Sequence, residues 1–425
     1  MFRGVQQMNE WYKLDNAGKM FHAVSEQANS SVFRIAAIMK ETVQPAELQL
    51  ALDDAIKRLP MFAVKLSKGV FWDFLVDNNE KLFVHIENQY PCAPIDPIET
   101  NGFLLRVTYY NKRIAVEFFH SVTDGTGALE FMKVLIYYYL SHLGEELIYE
   151  SSLIDIHNQP SYYERDDSYQ NYRTGEKIKS SKEIPSYQIR GVSIDQTIAL
   201  HGRMSVNKVH QLAKEQGTTI TAFVTAILIA AIYKERLQYR AYKEKINIAV
   251  PVNLRNLFPS NTLRNFFGVV NIGMTVTEEI TLKEIIEETT KQLREKVQKG
   301  NLQRSIDDRV KWQTRLTARF VPLPLKYHAI RYGYRSFSER SKAMTMTNLG
   351  KVQLPDAMES HISHMEMVMY PTKKSPINGG MIAVGDELVI TFARMIQEAD
   401  IIRAFFRELS TTYNLEIEVY SNDSR

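Results

Sequence analysis

The stretch FLLRVTYYNKRIAVEFFHSVTDGTGALEFMKVLIYYYLSHLG, residues 103–144, constrains the fold of this chain more than any other. FLLRVTYY and RIAVEFF are rich in β-branched and aromatic residues and meet at Asn111-Lys112, a pattern that predicts a β-hairpin. A largely apolar helical run follows at once, and Gly144 stands where a helix C-terminus wants a residue free to adopt positive φ. His120 therefore falls between a strand and a helix, in a chain that reads as α/β.

Pro45 opens an amphipathic helix with Leu48, Ala51, Leu52, Ala55, Ile56 and Leu59 on one face, and Pro60 ends it. FAVKLSKGVFWDFLV reads as extended segments around Lys68-Gly69. From about Ser151 to Gly191 the composition turns to Ser, Tyr, Asp, Lys and Pro without a period that supports a long element, which marks a connection. Its tyrosines, Tyr162, Tyr163, Tyr169 and Tyr172, are expected simply to pack at the surface. Beyond it come a strand at 197–206, the helix NKVHQLAKEQG, the apolar helix TTITAFVTAILIAAIYKERL, the strands INIAVPV and VVNIGMTV, a charged helix from Leu282 to Lys299, and a helical region at 318–336. MTMTNLGKV and HMEMVMY read as extended, and GGMIAVGDELVITFAR as a hairpin around Gly385-Asp386 before a last helix. With 425 residues the chain is too long for one ordinary core, so two subdomains are expected, 1–175 and 176–425. Each has a hairpin ending in aromatics before an apolar helix, the mark of a diverged duplication. The second copy has Arg394 where the first has His120, so one site per chain is expected.

Basic residues number 52 and acidic ones 49, well interleaved, so no global field points to nucleic acid or an anionic membrane. Neither a GxxxxGK[ST] loop nor a GxGxxG turn occurs. The single cysteine, Cys92, excludes an intrachain disulfide and fits a reducing compartment. The run from Ile220 to Tyr233 is too short to span a bilayer, and MFRGVQQMNEWYKL lacks the apolar core of a signal peptide. A cytoplasmic protein with no membrane span is the expectation.

His120-Ser121-Val122-Thr123-Asp124-Gly125 is the segment whose place suits chemistry. An imidazole at a strand end can take a proton from a hydroxyl near neutral pH, and the unpaired N–H groups of a helix start can hold developing negative charge. Gly125 would let the backbone turn tightly. The His-x-x-x-Asp spacing could also seat two metal ligands on a helix face, but no further ligand stands nearby, so no metal is expected.

FFHSVTDGTGALEFMK resembles the His-His-x-x-x-Asp-Gly signature of the chloramphenicol acetyltransferase-like superfamily, which includes plant acyltransferases, condensation domains of peptide synthetases and alcohol acetyltransferases. Phe119 replaces the first His, and the second, the catalytic one in that family, is His120. LQLALDDAIKRLPMF, GTTITAFVTAILIAAI, PVNLRN, FFGVVN and TMTNLGKVQLP follow the family's order, and the TNLG segment is most similar to alcohol acetyltransferases. The resemblance implies two subdomains of mixed sheet with flanking helices and an active-site tunnel at their interface. It implies an acyltransferase that moves an acyl group, acetyl foremost, from acyl-CoA as co-substrate, with no permanently bound cofactor, to a small-molecule alcohol or amine. An acyl carrier protein as donor, and a catalytically silent binding relative, are the alternatives. Carried onto this chain, His120 is the general base, Asp124 a structural support paired with Arg255, and Gly125 a backbone donor near the thioester. Asn271, Thr347 and Asn348 are candidates for steadying the oxyanion. Lys373 and Lys374 could meet phosphates.

Overall fold

The computed structural model describes residues 11–26, 29–149, 153–175, 185–238, 244–314 and 321–422. The expected hairpin forms from Leu105–Tyr110 and Arg113–Phe119, with Asn111 at φ 51° in the turn. These strands belong to a five-stranded sheet ordered Ile362–Val368, Val32–Met39, Arg113–Phe119, Leu105–Tyr110, Val84–Ile86, antiparallel except for the last pair. Helices Pro45–Arg58 and Gly125–His142 pack together on it. Phe131, Met132, Leu135 and Ile136 are fully buried there, each contributing about 1.5–3 kcal/mol by leaving water. Gly144, at φ 92°, ends the longer helix.

The second sheet has seven strands, in the order Phe267–Thr275, Lys245–Asn253, Met344–Lys351, Ile377–Val384, Glu387–Ile396, Ser193–Ser205, Glu418–Ser421. Met344–Lys351 runs parallel to both neighbours, and the other pairs are antiparallel. The apolar helix Ile220–Ile232 is buried against this sheet almost all round, as its composition requires. A third, three-stranded sheet joins Trp11–Lys13, Phe74–Asp77 and Val64–Ser67. The molecule is thus a mixed α/β protein of two lobes with flanking helices.

One strand does not respect the order of the chain. Ile362–Val368 leaves the second half and pairs with Val32–Met39, completing the sheet of the first. The subdomain boundary expected at 175/176 adjoins residues outside the described ones, and this crossing means that no single cut separates the two sheets. The charged helix predicted to Lys299 ends at Lys296, and a separate helix, Lys299–Thr314, begins three residues on. In the region expected to be helical from 318, Leu323–Gly333 is the described α-helix, and residues 315–320 lie outside the description. The connecting segment carries short turns of helix at Tyr162–Arg165 and Ser168–Asn171. Among the described residues, no single helix is long and apolar enough to cross a membrane.

Candidate active site

His120 extends the strand Arg113–Phe119 by one residue, its N–H donating to the Ser31 carbonyl at 2.8 Å. The chain then turns, and Asp124 caps helix Gly125–His142. Helix starts leave N–H groups unpaired, and an aspartate at the cap position satisfies them. Here Asp124 Oδ1 accepts from the N–H of Thr126 and of Gly127, both at 3.1 Å. Its Oδ2 faces the other half of the chain, accepting from Phe266 N at 2.7 Å and from Arg255 Nη1 at 2.9 Å. Arg255 also donates to the carbonyls of Thr262 (2.9 Å) and Arg264 (2.6 Å), so one buried guanidinium clamps both the cap and the segment 262–266. Gly127 is where the two halves touch: a Cβ there would lie 2.1 Å from the Leu263 carbonyl oxygen.

That segment carries a residue the sequence did not single out. Asn265 Oδ1 stands 3.0 Å from His120 Nδ1, while Asn265 Nδ2 donates to the His120 carbonyl at 3.1 Å and to Asp15 Oδ2 at 3.3 Å. With its amide nitrogen committed to two acceptors, Asn265 offers its oxygen to the ring, so the network assigns the proton to Nδ1 and leaves the lone pair on Nε2. Asp15, buried, also caps the helix Asn16–Val24 through Gly18 N at 2.7 Å. Phe21 of that helix stacks on the imidazole with centroids 3.9 Å apart, and Phe33 and Phe267 flank it at 4.8 and 5.7 Å. Burial in this aromatic setting pushes the His120 pKa down to about 4, against the attraction of Asp124. At neutral pH the ring is uncharged.

His120 opens on a cavity of about 1060 Å³ between the lobes. Its walls are mostly apolar, with Met20, Phe33, Trp72, Phe267, Met367 and Met369 among them, and Gly125, Asn271, Thr347 and Asn348 all reach it. Gly125 is not a tight turn: its φ is not positive, and a Cβ would fall 2.6 Å from Leu349 Cδ2, so glycine here makes room for a neighbour. Asn348 is occupied at both ends, donating to Thr221 Oγ1 at 2.9 Å and accepting from Gly350 N at 2.7 Å. Asn271 Nδ2 donates to Ser341 Oγ at 3.2 Å. The Thr347 hydroxyl has no hydrogen-bond partner among the described residues. Lys373 and Lys374 are exposed beside two smaller clefts and do not line this cavity.

Of the four tyrosines expected to pack at the surface, Tyr162 and Tyr163 are exposed. Tyr169 is fully buried and joins the site's scaffold, its hydroxyl donating to the Phe267 carbonyl at 2.7 Å and accepting from the Phe267 N–H at 3.0 Å. No sequence pattern distinguishes it from its neighbours. Asn265 had a weak signal, lying directly before the FFGVVN segment.

A family model described as alcohol acetyltransferase matches residues 120–365, beginning at His120 itself. No curated protein matches the chain. Among solved structures, it is similar to polyketide synthase associated protein 5 from Mycobacterium tuberculosis, with a TM-score of 0.60 and 13% identity over 97% of this chain and 99% of that one. It is also similar to TRI101 from Fusarium sporotrichioides complexed with coenzyme A and T-2, with a TM-score of 0.62 and 12% identity over 96% and 99% of the two chains. The starter condensation domain of the rhizomide synthetase RzmA, in complex with C8-CoA, gives a TM-score of 0.61 and 10% identity over 95% of each. At such identities these likenesses establish the fold.

Proposed function

Because the chain belongs to the alcohol acetyltransferase family, we propose that it transfers an acyl group, acetyl foremost, from acyl-CoA to the hydroxyl or amine of a small acceptor, with His120 as general base. The observation that carries this reading is the 3.0 Å contact of Asn265 Oδ1 with His120 Nδ1, which favours the proton on Nδ1 and leaves Nε2 of an uncharged ring to act as the base. Nε2 takes the acceptor's proton as its oxygen or nitrogen adds to the thioester carbonyl. The tetrahedral intermediate then collapses, the carbon–sulfur bond breaks, and the departing thiolate regains a proton from Nε2. No acyl-enzyme forms. Among the three side chains expected at the oxyanion, Thr347 is the one whose hydroxyl is uncommitted, and we assign it that contact. Asp124 and Arg255 act at one remove, holding the loop that holds His120. Coenzyme A in complex with TRI101, and C8-CoA with the RzmA domain, support a coenzyme A thioester as donor.

The test is free-thiol release from acetyl-CoA and longer acyl-CoAs with a panel of alcohols and amines, comparing wild type with His120→Ala. Acceptor-stimulated release that disappears in a folded His120→Ala protein is expected. Undiminished release by that variant refutes the base assignment. Release only from acyl groups on a carrier protein replaces the donor, and release from neither defeats acyl transfer.

A further inference from the structure

The helix Asn16–Val24 forms one wall of the cavity, and its cavity face carries two polar residues one turn apart, Asn16 and Lys19, beside Met20 and Phe21. Both amide atoms of Asn16, Nδ2 and Oδ1, are buried without a hydrogen-bond partner among the described residues. Buried amides are almost always satisfied, and one orphaned at both ends on a cavity wall calls for a partner that the described residues do not supply. Lys19 makes no ion pair among the described residues; its ammonium lies 5.2 Å from the ring of Trp72, on the cavity wall too. Asp167, whose field acts on Lys19, has its Oδ1 buried and without a partner among the described residues as well.

The chemistry of these groups narrows the ligand. Asp15, Lys19, Asp167 and Arg264 act on one another as two acids and two bases, with Lys13 a further base nearby, so the cluster mixes both signs of charge and is not built as a plain anion site. Its unsatisfied atoms include both donors and acceptors, the complement of a group that gives and takes a hydrogen bond. A hydroxyl does both. Along the helix Asn16 lies about 7.5 Å and Lys19 about 3 Å from Phe21, the residue stacked on His120, so this polar patch lies on the same cavity wall beside the imidazole.

Building on the acyl-transfer reading, we propose that Asn16 and Lys19 form a polar subsite that holds a second hydroxyl of the acceptor, so that the preferred acceptor is a diol or polyol. The test compares α,ω-alkanediols with 1-alkanols of equal length, using acetyl-CoA, in wild type, Asn16→Leu and Lys19→Met. Melting curves confirm that each variant is folded. Wild type is expected to favour diols in kcat/KM, and each variant to lower that preference about tenfold, the effect of one lost hydrogen bond. Calorimetric binding of the same alcohol pairs gives the same ratio without turnover. Absence of a diol preference in wild type, or a preference that both variants retain, overturns the subsite. If no alcohol stimulates thiol release, acyl transfer fails, and the binding ratios alone decide the subsite.

Discussion

Replacing Arg255 by Leu tests how the two halves hold His120. The guanidinium is buried and donates to Asp124 Oδ2, the Thr262 carbonyl and the Arg264 carbonyl at 2.9, 2.9 and 2.6 Å. Removing one partner of a buried ion pair costs about 3–5 kcal/mol, because the other charge stays behind. Unfolding entropy of ~2.1 cal/mol/K per residue over 425 residues amounts to ~0.9 kcal/mol per degree. If the lobes unfold together, the melting temperature falls by about 3–6 °C. The activity loss should be larger than this suggests. The same clamp fixes segment 262–266, and Asn265 within it orients His120, so a displacement of ~1 Å costs about 100-fold in kcat/KM. Arg255→Lys keeps the charge without the fork that reaches two carbonyls, and should fall between. Thermal melts read the stability and thiol release reads the rate. An Arg255→Leu protein that melts within about 1 °C of wild type and keeps its turnover refutes the clamp.

Asn265→Ala should leave the fold intact and lower kcat by about 10–100-fold with little change in KM, since it frees the tautomer without touching the tunnel's volume; an unchanged kcat counts against the tautomer lock. His120, held down to about 4 by burial, should stay a competent base to mildly acidic pH, giving a flat kcat/KM from pH 8 to about 5, whereas a midpoint near 6.5 shows a solvated ring. The same shift bears on stability. The unfolded imidazole takes up its proton near pH 6.5 and the folded one only near 4, so stability is full above 6.5 and falls by about 3 kcal/mol as pH drops to 4. Urea melts of His120→Gln should show a shallower acid decline than wild type by roughly that amount, and parallel curves would contradict it. Gly127→Ala drives a methyl onto the Leu263 carbonyl, a backbone atom that cannot step aside, and should yield little folded protein; a well-folded, active variant shows that the lobes have slack there.

Much of this architecture was legible because period and punctuation act locally. The hairpin before His120, the helix stopped by Gly144 and the buried helix Ile220–Ile232 each announce themselves within twenty residues. Val32–Met39 was not read, although VFRIAAIM is strongly apolar: buried on both faces, it shows no alternation to mark it as a strand. Helix Asn16–Val24 is nine residues of mixed composition, too short to carry a clear period, yet it brings Asp15, Asn16, Lys19 and Phe21 to the site. His120, Asp124 and Arg255 could be found from the residues and the family they resemble. Asn265 could not, because its meaning lies in a contact across 145 positions of chain with a ring whose orientation only the folded lobes fix.

The crossing strand Ile362–Val368 also sets a timetable for synthesis. Until it emerges from the ribosome, Val32–Met39 has a neighbour on one side only, and its other edge is a bare row of backbone donors and acceptors on an apolar strand. The roughly 250 residues between Phe119 and Val368 take about 12–50 s to translate at 5–20 residues per second. For that interval the nascent first lobe offers a sticky edge to any other chain nearby. Fast overexpression should therefore fill inclusion bodies before it fills the soluble fraction.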